Sequence, residues 1–253
     1  MAFGPDNRFE LRTQTMNRAQ ADAAQIDVGL REYMLKVYNY MASGLALTGI
    51  VAYLAANTPA ILNLLYAAGP DGRVSPTILA WIVMLAPLGF IFFLSARIQH
   101  MKASTAQTVF WVFAAVMGLS LAHIFLAFTG ASIARVFFIT AGTFAGMSLY
   151  GYTTKRDLTG VGQFMFMGLI GIIIASLVNL FLQSSALHFM ISIIGVIVFV
   201  GLTAYDTQKI KLMYLESDGS EVAAKKAIMG AVTLYLDFIN LFIMLLHLFG
   251  QRR

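Results

Sequence analysis

Hydrophobic positions along this chain run in long unbroken blocks. They show neither the alternation of a half-buried strand nor the one-sided stripe of a soluble helix. At 1.5 Å per residue, a helix needs about 20 mainly apolar residues to cross the hydrocarbon of a bilayer. Seven blocks meet that length, at residues 34–56, 77–96, 107–128, 132–152, 162–183, 186–208 and 228–249. Spanning strands alternate over segments of about ten residues, and these blocks are continuous, so helices are predicted. The gaps at 129–131 and 184–185 leave room only for tight helical hairpins. Within the first loop, Gly69-Pro70-Asp71-Gly72 is a turn signal. The pattern predicts an all-α membrane protein of seven transmembrane helices over residues 34–253, preceded by a polar cytoplasmic tail at 1–33.

Composition supports that class. The 253 residues are 59% hydrophobic and 11% charged, with mean hydropathy +0.77. A soluble domain carries about 25% charge to solvate its surface. Cysteine is absent, which removes disulfides, thiolate nucleophiles and Cys-based metal sites. The net charge of +5 comes from cations in short loops and the tail, a placement that suits anionic lipid rather than nucleic acid. Residues 1–33 mix Arg8, Arg12, Arg18 and Arg31 with acids and amides and lack an apolar run, so no cleavable signal is expected. With seven spans, 13 Lys and Arg fall on the side of the N-terminus and 4 on the other. The positive-inside rule then predicts a cytoplasmic N-terminus and an extracytoplasmic C-terminus. Gly142 and Gly146 in span four, and Gly171 with Ala175 in span five, have the small-xxx-small spacing of close helix packing.

Ten of the twelve acidic residues lie in the tail or loops; Asp206 and Asp237 do not. A charged side chain at mid-bilayer costs about 2.5–3.5 kcal/mol on insertion scales, so such residues usually face the bundle interior and carry function. On span seven, Gly230, Thr233, Asp237 and Asn240 share a helical face, and on span six so do Ser192, Gly195, Thr203 and Asp206. Asp237 lies nine residues into the predicted span seven, whereas Asp206 sits near the end of span six. The two levels match only if span six continues past Lys209 or span seven starts nearer Ala231. Two carboxylates that meet in low dielectric cannot both ionise cheaply, so the pair is expected to share a proton and bind cations as it loses it. Alternatively, Asp206 pairs with Lys209 or Lys211, and Asp237 bonds to Thr233 and Tyr235, for packing only. His123, His188 and His247 read first as hydrogen-bonding or interfacial residues. Arg97, at the end of span two, either snorkels to the interface or latches onto Asp206.

Three segments carry a family resemblance: residues 148–158 (SLYGYTTKRDL), 201–209 (GLTAYDTQK) and 234–242 (LYLDFINLF). Together, in that order, they resemble hallmark segments of the Bax inhibitor-1 family, most of all its bacterial inner-membrane members, from about residue 30 to the end. The resemblance implies a seven-helix bundle with the last helix at its centre and a pH-sensitive calcium leak. It also implies that Asp206 and Asp237 act as proton sensor and cation gate, with Arg97 as a possible counterpart of the latch arginine of some members.

The leading expectation is therefore a calcium leak gated by Asp206 and Asp237, with Thr203, Thr233 and Asn240 as supporting polar groups. Calcium takes six to eight oxygens, so two carboxylates make only a weak site, completed by water and neutral oxygens. The alternative is a membrane interaction protein that modulates a membrane-protease or stress-response partner without transport. A presenilin-like aspartyl protease is disfavoured, because Asp237 follows Leu-Tyr-Leu rather than Gly-x-Gly. No phosphate loop, catalytic triad or His-rich metal spacing is present, so no enzyme and no organic cofactor are expected. The expected partners are lipid, calcium and protons.

Overall fold

The computed structural model describes residues 7–68 and 74–253, with side chains described for 28–67 and 75–253. The turn signal at 69–72 and the side chains of Arg8, Arg12 and Arg18 lie outside the described residues. Helix α1 (Asn7–Asn57) is followed by a short α2 (Pro59–Leu65) and an antiparallel hairpin of β1 (Tyr66–Ala68) and β2 (Val74–Pro76). Then come α3 (Ile78–Arg97), α4 (Ala103–Ala127), α5 (Gly130–Thr153), α6 (Thr159–Leu182), α7 (Ser185–Leu212) and α8 (Ser220–Phe249). Seven helices are long and apolar enough to cross a membrane: α1 from Val28 onward, and α3 to α8. The all-α, seven-span class holds.

Local chemistry sets the breaks. Pro59 forces the preceding Thr58 into extended backbone (φ −108°, ψ 106°), which ends α1 and leaves Pro59 at the start of α2. Thr77 caps α3, its hydroxyl accepting from Ala80 N at 3.2 Å. The two-residue hairpin predicted near 184 is closed by Gln183 in the left-handed region (φ 50°). Beside it, Asn179 Oδ1 accepts from Ser184 N at 3.0 Å, and Ser184 Oγ from Leu187 N at 3.3 Å.

α8 occupies the centre. It packs against α1, α3, α4, α5 and α7, and 67% of its most apolar stretch is buried, against 6% for the peripheral α6. Its buried face carries Ile228, Leu234, Tyr235, Leu241 and Leu246, each under 2% exposed. At the α7–α8 connection the helices overrun the apolar blocks: α7 ends four residues later and α8 begins eight earlier. Lys209, Lys211, Lys225 and Lys226 read as loop residues for their charge, yet all four lie on helix. Three of the ammonium groups reach backbone carbonyls at the bundle end: Lys211 bonds Tyr152 O at 2.8 Å, Lys225 bonds Met101 O at 3.1 Å and Lys226 bonds Met213 O at 3.0 Å. Charge does not end a helix when the stem can lie along it and the head can leave the hydrocarbon.

The GxxxG of α5 does not mediate packing inside the bundle. A Cβ at Gly142 or Gly146 would meet nothing within 4 Å, and the same is true at Gly171. The close approach is made by Gly151 instead, where a Cβ would stand 2.2 Å from the carbonyl oxygen of Ala204 on α7.

Candidate functional site

The register of α7 against α8 decides the site. Gly230 lies against Ile210, and Gly195 against Met244. Antiparallel helices joined by those two contacts set Asp206 opposite Leu234, so that Asp237 stands within about one helical turn of it. The mismatch of depth inferred from the apolar blocks shrinks because α7 runs on past Lys209 to Leu212; α8 starts earlier than its apolar block, not nearer Ala231, and contributes nothing to the match.

The two carboxyl groups lie within hydrogen-bond reach of each other. Asp237 is buried, 5% exposed, and Asp206 is half-buried. The Oδ2 atom of Asp237 receives no donor from any other described residue. Two carboxylates meet only as acceptors unless a proton lies between them, so the contact is a hydrogen bond in one protonation state and a repulsion in another.

The pair opens into a cavity of about 900 Å³ between α3, α6, α7 and α8. Thr233 and Asn240 line it with the aspartates, as their shared face predicts. The Thr233 hydroxyl donates to Met229 O at 3.1 Å and the Asn240 amide to Leu236 O at 2.8 Å. The lone pairs of Thr233 Oγ1 and Asn240 Oδ1 thus remain available to a cation. Thr203 does not join the group: it is buried elsewhere on α7, donating to Phe199 O at 2.7 Å.

The alternatives of a purely structural pair are not realised. Lys209 acts on Asp206 electrostatically, but among the described residues the ion pair within 4.0 Å is Lys226 with Asp218. Lys211 is committed to Tyr152 O, and the Tyr235 hydroxyl to Thr48. Arg97 is exposed at the end of α3, makes no ion pair with Asp206 and does not line the cavity.

Two polar side chains of the lining, Tyr205 and Gln163, are not assigned to the site by the sequence reading. The ring of Tyr205 is seated by Gly162 of α6, where a Cβ would come within 2.4 Å of Tyr205 Cγ. The position of Tyr205 immediately before Asp206 is the one available signal. Among the described residues no three His, Asp or Glu side chains cluster as a metal site, so the two aspartates stand without a third acidic or imidazole ligand.

Seven apolar helices around a central α8, with two touching carboxyls inside, define a multi-pass membrane protein with an intramembrane acid pair. The family described as "Inhibitor of apoptosis-promoting Bax1" matches residues 30–253, and the chain belongs to this Bax inhibitor-1 family. It is 50% identical over 227 residues to the inner membrane protein YbhL of Escherichia coli, covering 89% of this chain and 94% of that one. It is 52% identical over 227 residues to an uncharacterised protein of Rickettsia prowazekii, covering 90% and 92%. An uncharacterised protein of Caulobacter vibrioides is 42% identical over 248 residues, 98% of each chain.

Proposed function

We propose that this protein is a pH-sensitive calcium leak of the bacterial inner membrane, gated by Asp206 and Asp237. The observation that supports this most is the contact of the two carboxyls at the wall of a large cavity. With one proton shared, the pair is a hydrogen bond between α7 and α8. When the proton leaves, two unit charges about 4 Å apart at an effective dielectric of about 20 repel by about 4 kcal/mol. That exceeds a typical interhelical hydrogen bond in a membrane, roughly 0.6–2 kcal/mol, so ionisation favours parting the helices beside the cavity. The parted carboxylates then face a cation. Thr233, Asn240 and water complete a site loose enough to release calcium, as a conduit requires. In this reading the pair handles a proton and a cation and cleaves no bond, and no organic cofactor takes part. The cation count supports a reading in which this end of the bundle faces the cytoplasm and the C-terminus lies outside.

Calcium flux into proteoliposomes measured across pH tests the proposal. Flux is expected to rise with pH in the wild type and to lose that dependence in Asp206→Asn and Asp237→Asn. Wild-type flux equal to that of the double variant at every pH refutes conduction through the pair. The reading as an interaction protein that works on a membrane-protease or stress-response partner would then take precedence.

A further inference from the structure

We propose that the opposite end of the bundle, where α4 meets α5 and α6 meets α7, carries a binding site for one phosphate-bearing anion. Two adjoining cavities of about 430 and 470 Å³ lie there and share His188, His247 and Arg252. The first also holds Arg253 and His123, and no acidic side chain lines either one.

The arginines are put there by their backbone. Residues after α8 fold back on the α4–α5 connection as an antiparallel bridge between Phe128 and Arg252. Thr129 N donates to Gln251 O at 3.0 Å and Arg253 N to Ala127 O at 3.1 Å. Gln251 N donates to Ser132 Oγ at 2.8 Å. None of these bonds uses a guanidinium, and among the described residues neither arginine has an ion-pair partner. Both arginines are exposed at the cavity mouth, so the five donors of each planar fork are open to a ligand arriving from outside.

The imidazoles add a second, independent indication. The rings of His188 and His247 are 4.6 Å apart, and His188 Nε2 is buried without a hydrogen-bond partner. His123 Nδ1 donates to Ser120 O at 2.8 Å. The second cavity also reaches Ser184 and Ser185, the N-cap and first residue of the 28-residue α7. The positive end of that helix dipole faces the same space. A metal ion does not fit the arrangement: the described residues contain no three-ligand cluster, and two guanidinium groups repel a cation. A tetrahedral oxyanion fits it, since a guanidinium fork binds two phosphate oxygens at once and an imidazole N–H takes a third. The phosphate can belong to a phospholipid headgroup at the membrane boundary or to a soluble phosphate.

Full-length protein is stripped of lipid in an uncharged detergent, and its thermal denaturation is followed with inorganic phosphate. In parallel, it is reconstituted with phosphatidylglycerol and phosphatidylcholine in equal parts and retained lipid is counted by native mass spectrometry. The site predicts a rise in melting temperature with phosphate, selective retention of phosphatidylglycerol, or both. Response to the lipid alone assigns the headgroup, and response to phosphate alone assigns a soluble ligand. Arg252→Ala and His188→Gln should each weaken binding about tenfold. Arg252→Lys, which keeps charge but not the fork, should lie between wild type and Arg252→Ala. No response to either probe, or equal response in variants that melt like the wild type without ligand, overturns the site. Neither result bears on calcium flux through the aspartates.

Discussion

Tyr235 on α8 donates a 2.6 Å hydrogen bond to Thr48 on α1, and a third atom fixes its direction. Thr48 spends its one hydroxyl hydrogen on Ala114 O of α4, at 2.8 Å, so the shared hydrogen must come from the tyrosine. The bond ties the central helix to α1 and, through Thr48, to α4, in a place where Tyr235 is 0% exposed.

Removing either partner has unequal effects. Tyr235→Phe deletes a donor and leaves Thr48 bonded to Ala114 O, at a cost of about 0.5–1.5 kcal/mol. Thr48→Val strands the buried Tyr235 hydroxyl, while the Ala114 carbonyl keeps its bond within α4, at a cost of about 1–3 kcal/mol. Equilibrium unfolding in mixed detergent micelles should rank them in that order, and equal losses would show that the tyrosine finds another acceptor.

Gly151 and Gly146 share a helix and differ only in what faces them. A Cβ at position 151 would overlap the Ala204 carbonyl, whereas at 146 it would meet open space. Gly151→Ala should destabilise by about 1–3 kcal/mol or force α5 from α7. Gly146→Ala should be neutral or stabilise by up to about 1 kcal/mol through helix propensity. Parallel melting of the two variants distinguishes a packing glycine from a lipid-facing one.

Gln208 bridges the α5–α6 connection, donating to Arg156 O at 2.7 Å and accepting from Leu158 N at 2.9 Å. Gln208→Leu leaves both backbone groups without that partner and should cost about 1–3 kcal/mol. Amide hydrogen exchange at Leu158 should accelerate. Unchanged protection there would mean that water replaces the side chain.

Asp157 precedes α6 and accepts from Thr159 N at 2.9 Å and Thr159 Oγ1 at 2.6 Å. These bonds hold its carboxyl below the ordinary carboxylate range, the hydroxyl contributing more than the amide. A depressed folded value means that this Asp157–Thr159 interaction is fully present above about pH 4, the unfolded value. It is lost as pH falls through the lower folded value. The carboxyl carbon of Asp157, followed by NMR, should titrate below the model-peptide range and move up toward it in Thr159→Ala. A midpoint that ignores the substitution would remove the hydroxyl as the cause.

Lys209 and Arg97 make opposite predictions for flux. A cation near a carboxylate favours its ionised form, so Lys209→Met should move the flux–pH curve to higher pH. Arg97→Ala should leave the curve where it is, because Arg97 lies exposed and unpaired with Asp206. A shift with Arg97→Ala would restore the latch.

The chain itself determined the helical class, the number of spans and the candidates Asp206 and Asp237, because each follows from the cost of placing backbone or charge in hydrocarbon. The same reasoning put Thr233 and Asn240 beside Asp237, since helical spacing alone sets a shared face. Thr203 satisfied that spacing too, yet its hydroxyl is taken by its own helix and it stands away from the cavity. Only tertiary structure decided that the carboxyls meet, because the level of Asp206 against Asp237 depends on the register of two helices. That register is set by Gly230 against Ile210 and Gly195 against Met244, contacts between residues that no local pattern joins. The same holds for the Gly142–Gly146 spacing, since small residues permit close approach but cannot say whether a neighbour is there.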